Sequence, residues 1–437
     1  MSEIKFNLEW IDPGSARGAE LRATWARFEV LVNGEPITRL SDLSSRSVRS
    51  SLYLPLYPLA EWIATHWWFL FFEIEAPGRD TVGGYAARHN IRMGAEGYAL
   101  PSVSINPTGR SILLEWHPIQ LASHRLEFLS GGSARFDAAQ IQEFLTNLIQ
   151  VVLQRLDDLG IASTLLHDEW DAISNADAEE IDFCAASAAL GLDPFALDDV
   201  AQQEILSVGN LVPAAVYEDF FSAAAFPLLT DQANQLIEAI GVSRSNRADL
   251  LGIKRLQQTY SHGEALVGSP WQQGYGFARQ LRRDLGLDGR ILVSLSDVTS
   301  ALSLSENDVS ASVFAVPEFR APFDAVVDVN DAGSPGFVIS KRREVAVKFA
   351  FCRGLFEYLT CEQGDPILVT RTRSEKQKKN RAFAAEFLVP TASLRERVTE
   401  DTVGEEEVDD LAAEFNVAPH VIFHQLENHG IARILPA

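Results

Sequence analysis

The chain is poor in several residue types, and each shortage removes a class of function. Only three of its 437 residues are cysteine and two are methionine. Cys184, Cys352 and Cys361 are scattered and odd in number, so no disulfide framework is implied and a reducing compartment is expected. Long hydrophobic runs are missing too. The most apolar stretch, WIATHWWFLFF at 62–72, falls short of the about 20 residues a bilayer-spanning helix needs. Its aromatics are expected to fill a core, because Glu61, Glu73 and Glu75 beside it oppose an anionic membrane surface. The opening residues, MSEIKFNLEW, lack the basic, apolar and cleavage regions of a secretion signal, so a cytoplasmic location is expected. Lysine and arginine are absent from 156 to 243, a stretch that contains seventeen Asp and Glu residues. The net charge of the chain is −23, which argues against nucleic-acid binding by the surface at large.

What is present divides into three segments: 1–135, 136–260 and 261–437. The first reads as mostly β. Short alternating runs such as Trp25–Val32 and Ser111–His117 are separated by turn residues at Asn33-Gly34, Pro77-Gly78 and 107–109. One helix, over about 59–71, interrupts them, and Gly131-Gly132-Ser133 reads as a linker or tight turn. His66, His89, His117 and His124 have no metal-ligand spacing and are expected to be core or surface residues. From Asp137 the pattern turns helical. Asp137 with Gln140 and Asp177 with Glu180 are N-terminal capping signals, and Gly191 is a natural helix stop. The acidic region 156–243 is either a solvated helical surface or a docking face for a basic partner. The 183–199 stretch has a helix-turn-helix rhythm, but it offers Asp where base readout needs Arg, Lys, Asn or Gln. A packing or interaction role is expected there.

In the third segment Ser269 and Pro270 open a helix whose stripe is Trp271, Tyr275, Ala278, Leu281 and Leu285, with Arg279, Arg282 and Arg283 pointing elsewhere. Strands are expected over 290–294, 325–329 and 336–340. Next come KRREVAVKFAFCRGLFEYLT (341–360), AFAAEFLVP (382–390) and LAAEFNVAPHVIFHQLENHGI (411–431). In this order and spacing the pieces resemble the ImmA/IrrE metallopeptidase family. That family has an Ala-His-Glu-Leu-Gly-His helix and then an Ala-Asn-x-Phe-Ala-Ala-x-Leu-Leu-Met-Pro helix. The resemblance covers about the last 170 residues, and more weakly 137–250. It implies an α+β multidomain protein whose C-terminal domain is zincin-like, behind a β-rich N-terminal domain and an acidic helical region.

The same resemblance points away from the family's chemistry. Ala350 and Gly354 keep the small positions, but the two histidine positions hold Phe351 and Leu355 and the glutamate position holds Cys352. HExxH works because residues four apart share a helix face, so that two imidazoles grip one ion beside a general base. Phenylalanine and leucine cannot ligate zinc, and cysteine lacks the reach and pKa of a carboxylate base. The third-ligand position, counted back from Phe383, is Lys378, a cation. No catalytic residue, metal or cofactor is therefore expected, and Phe351 and Leu355 are expected to plug the place of metal and water. His420 and His424 lie four apart, but no Glu follows His420, and they are not expected to bind metal.

Arg371, Arg373, Lys376, Lys378, Lys379 and Arg381 form a basic run in this acidic chain. It is a solvated loop, an anion contact, or a partner of the chain's own acidic region. By the resemblance, three roles remain open. One is a catalytically silent binding or regulatory protein, with a basic helix-turn-helix repressor as its partner on 156–243, in a defence, mobile-element or toxin–antitoxin setting. The second is an enzyme, either a metallopeptidase with ligands displaced to Glu344, Glu357 or Glu375, or a hydrolase using Cys352. The third is a scaffold subunit. Direct nucleic-acid contact is expected only through 371–381.

Overall fold

The computed structural model describes residues 2–13, 17–78, 84–261, 268–316, 318–319, 322–361 and 364–435. The chain is an α+β protein made of two compact units, Met1–Asp198 and Asp199–Ala437, where the sequence suggests three segments. Among the described residues no helix is long and apolar enough to cross a membrane.

In the first unit, strand Ile4–Trp10 pairs antiparallel with Trp25–Val32, which also pairs with Leu52–Pro55. Ala26, Phe28, Val30 and Val32 are buried while the residues between them are less so, the period-2 pattern of a half-buried strand. A second antiparallel sheet joins Ser102–Pro107, Ser111–His117 and Gly132–Asp137. Gly131 and Gly132 are thus not a linker. Gly132 pairs with Trp116, and a Cβ there would fall 2.9 Å from the indole ring; one at Gly131 would fall 2.8 Å from Pro118 Cδ. The glycines let a ring lie on the backbone, a contact that local sequence does not show.

The helix expected over 59–71 is two helices, Tyr57–Thr65 and Trp67–Phe72. They break at His66, whose Nδ1 is 2.9 Å from the Trp62 carbonyl oxygen. Trp62, Trp67, Trp68 and Phe69 are buried as expected. Helix Ala138–Asp158 starts on the Asp137/Gln140 capping box and buries Ile141, Leu145, Leu148, Val152 and Leu156 in the same core as the strands. Leu159, at its C-cap, is exposed.

In the second unit a sheet runs in the order Val313–Ala315, Pro335–Ile339, Phe323–Val329, Ile367–Thr370. Its central strands are buried on both faces, which requires helices on both sides. Side chains alternate across a strand, and neighbouring positions show the two covers. A Cβ on Gly336 would meet the Ser243 carbonyl oxygen of helix Leu229–Arg244 at 2.2 Å, while Phe337 faces Gly354 of helix Glu344–Thr360. The acidic-region helix Leu229–Arg244 therefore covers one sheet face and the helix of interest covers the other. Behind the latter, helix Pro270–Asp284 packs along Glu375–Leu388. Gly274 permits this approach, since a Cβ there would lie 2.3 Å from the Lys379 carbonyl oxygen.

Three expectations in this unit fail. Residues 290–294 are not a strand. Their carbonyls are taken by side chains: Arg282 donates to Arg290 and Leu287, and Lys348 to Leu292 and Val293. Arg282 does not point away; it is buried and also donates to the Phe387 carbonyl at 2.7 Å. Trp271, placed on the apolar stripe by its spacing, is exposed.

Candidate functional site

The candidate site is the seam between helices Glu344–Thr360 and Glu375–Leu388. Each begins after a strand of one sheet, Pro335–Ile339 and Ile367–Thr370, so the topology brings the two helix starts to the same sheet end. Ser374 caps the second helix by accepting from the Gln377 amide.

Phe351, Cys352 and Leu355 are all fully buried. The Phe351 ring lies 4.7 Å from that of Phe337, and Phe356, Phe383 and Phe387 form a row of neighbouring rings in the same core. Gly354 keeps this helix tight on the sheet, since a Cβ there would meet Val327 Cγ2 at 2.9 Å. Burial pushes the Cys352 thiol up to about 12, against a smaller opposing pull from Lys348, so it is a thiol at neutral pH. A resident zinc does not fit this donor set. Two of the positions are hydrocarbon, the third is an un-ionised thiol, and among the described residues no three His, Cys, Asp or Glu side chains converge as metal ligands.

Lys378 does not face the seam. It is half-buried on an adjoining face, and the residues pointing inward are Gln377, Asn380, Ala384 and Phe387, three to four apart and each fully buried. Opposite them is Arg353, between Phe351 and Leu355. Arg353 donates to Asn380 Oδ1 (2.7 Å), Gln377 Oε1 (2.8 Å), the Thr370 carbonyl (2.5 Å) and Asp324 Oδ2 (2.6 Å). Asn380 in turn donates to Glu357 Oε1 at 2.8 Å, and burial raises the Glu357 carboxyl above its ordinary range. Burial also works to raise Asp324, but Arg353 and then Lys341 outweigh it and hold the group below the usual carboxylate range.

At the other end of helix Glu375–Leu388, Glu386 is buried. It accepts from Arg279 Nε (2.8 Å), Thr391 Oγ1 (2.6 Å) and Gln425 Nε2 (3.0 Å), with His429 Nε2 3.5 Å away. Burial opposes ionisation, but His429, Arg279 and Thr391 outweigh it and bring the carboxyl down to about 2. His420 and His424 are exposed on helix Pro419–Asn428 and are brought to no carboxylate cluster.

The basic run divides. Arg371 and Arg373 are exposed at the sheet end, and Arg371 Nε is 3.1 Å from Asp324 Oδ1. Lys376 Nζ pairs with Asp219 Oδ2 at 2.6 Å, a contact to the acidic region, and Gln377 Nε2 reaches Asp219 Oδ1 at 3.2 Å. Arg381 donates to the Thr372 carbonyl at 2.9 Å, while Lys378 and Lys379 are half-buried on other faces.

Several polar residues here escape sequence reasoning: Asp324, Arg353, Gln377, Asn380, Glu386 and Lys348. One signal exists. Lys348, Arg353 and Asp324 are charges inside otherwise apolar runs, VAVKFAFCRGLF and FDAVV, and such charges must be paired when the run is buried. In the first unit the same signal marks nothing, yet Glu73, Arg88 and His89 form a buried cluster, with Arg88 Nε to Glu73 Oε2 at 2.8 Å and His89 Nε2 to the same oxygen at 3.1 Å.

No protein-family model, curated protein or solved structure matches the chain.

Proposed function

We propose that this chain is a peptidase-like binding protein without peptidase chemistry, and that its partner is a basic, DNA-binding protein of the helix-turn-helix repressor kind. The observation that carries the first half is the complete burial of Phe351, Cys352 and Leu355, with the Phe351 ring against that of Phe337. A reaction centre needs room for substrate and water. Here hydrocarbon fills that room, and Arg353 with Asn380 and Gln377 locks the polar remainder into bonds within the protein. The hydrolase alternative based on Cys352 has no support from the geometry, since the thiol is buried and un-ionised.

The acidic surface supports the second half. Helices Leu165–Asn175 and Ala178–Ala189 present Asp168, Asp171, Glu179, Glu180 and Asp182 to solvent, with no lysine or arginine on either. Such a face steers a cationic partner and suppresses acidic ones. The ImmA/IrrE resemblance supplies the partner class, as analogy from fold rather than from site.

The test combines metal analysis of the purified protein with binding to the helix-turn-helix repressor encoded nearest its gene. The proposal expects substoichiometric zinc, a complex that dissociates at high salt, and a repressor of unchanged mass after prolonged incubation. Stoichiometric zinc with chelator-sensitive cleavage of the repressor would end it, and so would the absence of any complex at low salt.

A further inference from the structure

One end of the second unit's sheet gathers several cations around a single carboxylate. The register places Phe323 opposite Thr370 and Ala325 opposite Ile339, so the segments leaving the two strands that flank Phe323–Val329, at Lys341 and Arg371, lie on either side of Asp324. Lys341, Arg353 and Arg371 all pair with that one carboxylate. Arg381 and Arg373 adjoin the group: burial, then Arg353, push the Arg381 guanidinium down to about 9, with Arg373 adding to the crowding. It is still protonated at neutral pH. Arg342 and Arg343 are exposed in the same loop as Lys341. In a chain of net charge −23, a cluster of cations around one acid is not explained by overall composition.

The cluster is also built rather than scattered. Asp324 is buried, and Arg353 is fixed by four separate bonds, so the floor of the patch is rigid. Arg371 uses one nitrogen on Asp324 and leaves 69% of its side chain exposed. Planar guanidiniums in this arrangement offer paired N–H donors, the geometry that suits a tetrahedral oxyanion.

We infer that the surface formed by Lys341, Arg371, Arg373 and Arg381 over Asp324 is a binding site for a phosphate-bearing small anion, a phosphate monoester or a pyrophosphate. A dianion matches the surplus of positive charge better than a monocarboxylate does. The repulsion of the remaining surface disfavours long nucleic acids. The inference does not depend on the peptidase resemblance or on any protein partner. It divides the basic run in a way its sequence does not: Lys376 belongs to Asp219, while Lys341, from a different loop, joins the site.

The experiment is calorimetric titration of the full chain with inorganic pyrophosphate, with AMP against adenosine, and with succinate against a tetraglutamate peptide, all at constant ionic strength in chloride. Pyrophosphate and AMP should bind saturably and adenosine should not. The double variant R371Q/R373Q, at exposed positions that keep Arg353 and its four bonds, should weaken pyrophosphate binding by about tenfold or more. R395Q, an exposed cation outside the patch, should leave it unchanged. Absence of saturable pyrophosphate binding would overturn the inference, as would equal binding by parent and double variant. Tighter binding of succinate or tetraglutamate would overturn it in favour of an acidic peptide.

Discussion

The two ends of helix Glu375–Leu388 use buried carboxylates in opposite ways. At the C-terminal end Glu386 is matched: one arginine, one hydroxyl, one amide and one nearby imidazole supply donors, and its charge has a single strong counterpart. Near the N-terminal end Asp324 is outnumbered, with Lys341, Arg353 and Arg371 on one group. Balanced donors around a buried charge describe a structural pin, because nothing is left to recruit. An excess of cations around a carboxylate at the solvent edge leaves charge for an incoming anion to neutralise, which is how a recognition surface is built. Between the ends lies the row of Phe356, Phe383 and Phe387 rings. The helix is therefore a spacer holding a matched pin at one end and an overloaded patch at the other.

The comparison fails most visibly if Arg353 is dispensable. R353M keeps the aliphatic stem and deletes the charge, leaving Asn380 Oδ1, Gln377 Oε1 and the Thr370 carbonyl short of a donor and Asp324 short of its most buried partner. Breaking a buried pair on one side costs about 3–5 kcal/mol, to be read as the fall in unfolding free energy from urea titration. R353K should recover little, because an ammonium cannot reproduce the fork that reaches four acceptors. A loss below about 1 kcal/mol would show that the network is solvated in solution and not a fixed floor.

Glu386 gives the next largest effect, and it depends on pH. Its folded-state carboxyl, at about 2, lies below the ordinary value of 4.5. A depressed acid contributes stability that is complete above the unfolded value and is lost as pH falls through the folded one. The contribution is about 3 kcal/mol at neutral pH, since each pH unit separating the folded and unfolded values is worth about 1.36 kcal/mol. E386Q should be less stable than the parent by roughly that amount at pH 7 and should converge on it between pH 4.5 and about 2. Parallel stability curves for parent and variant across that window would mean that Glu386 is not the pin described.

How much of this is readable in the sequence follows the range of the interactions. The capping boxes at Asp137/Gln140 and Ser269/Gln272 are legible because all their atoms lie within one turn of chain. The burial of Phe351, Cys352 and Leu355 is legible because helical spacing puts Phe351 and Leu355 on one face and Cys352 on the neighbouring apolar stripe of Phe356 and Leu359. Gly131 and Gly132 look like a linker because the ring that requires them, Trp116, is on the neighbouring strand. Residues 290–294 look like a strand because their apolar pattern says nothing about Lys348, which takes two of their carbonyls from a helix more than fifty residues on. The N-terminal side of the seam is hidden for a similar reason. A count along the helix selects Lys378, and one step of about 100° separates it from Gln377, the residue that reaches Arg353.

The smallest effect makes the sharpest contrast, since it asks for opposite answers from two similar changes. R279Q removes the one arginine serving Glu386, and R371Q removes one of three cations serving Asp324. Both side chains are substantially exposed, so neither change is large: about 1 kcal/mol of destabilisation for R279Q, and within about 0.5 kcal/mol of zero for R371Q. Salt separates them further. Screening weakens attraction at the matched end and repulsion at the overloaded one. The difference between R279Q and parent should therefore shrink as chloride rises. R371Q, which relieves crowding among Lys341, Arg353 and Arg381, should gain on the parent at low salt and lose that gain at high salt. Equal destabilisation by both, with the same salt dependence, would make the two carboxylates equivalent and remove the charge imbalance from which the anion site is argued.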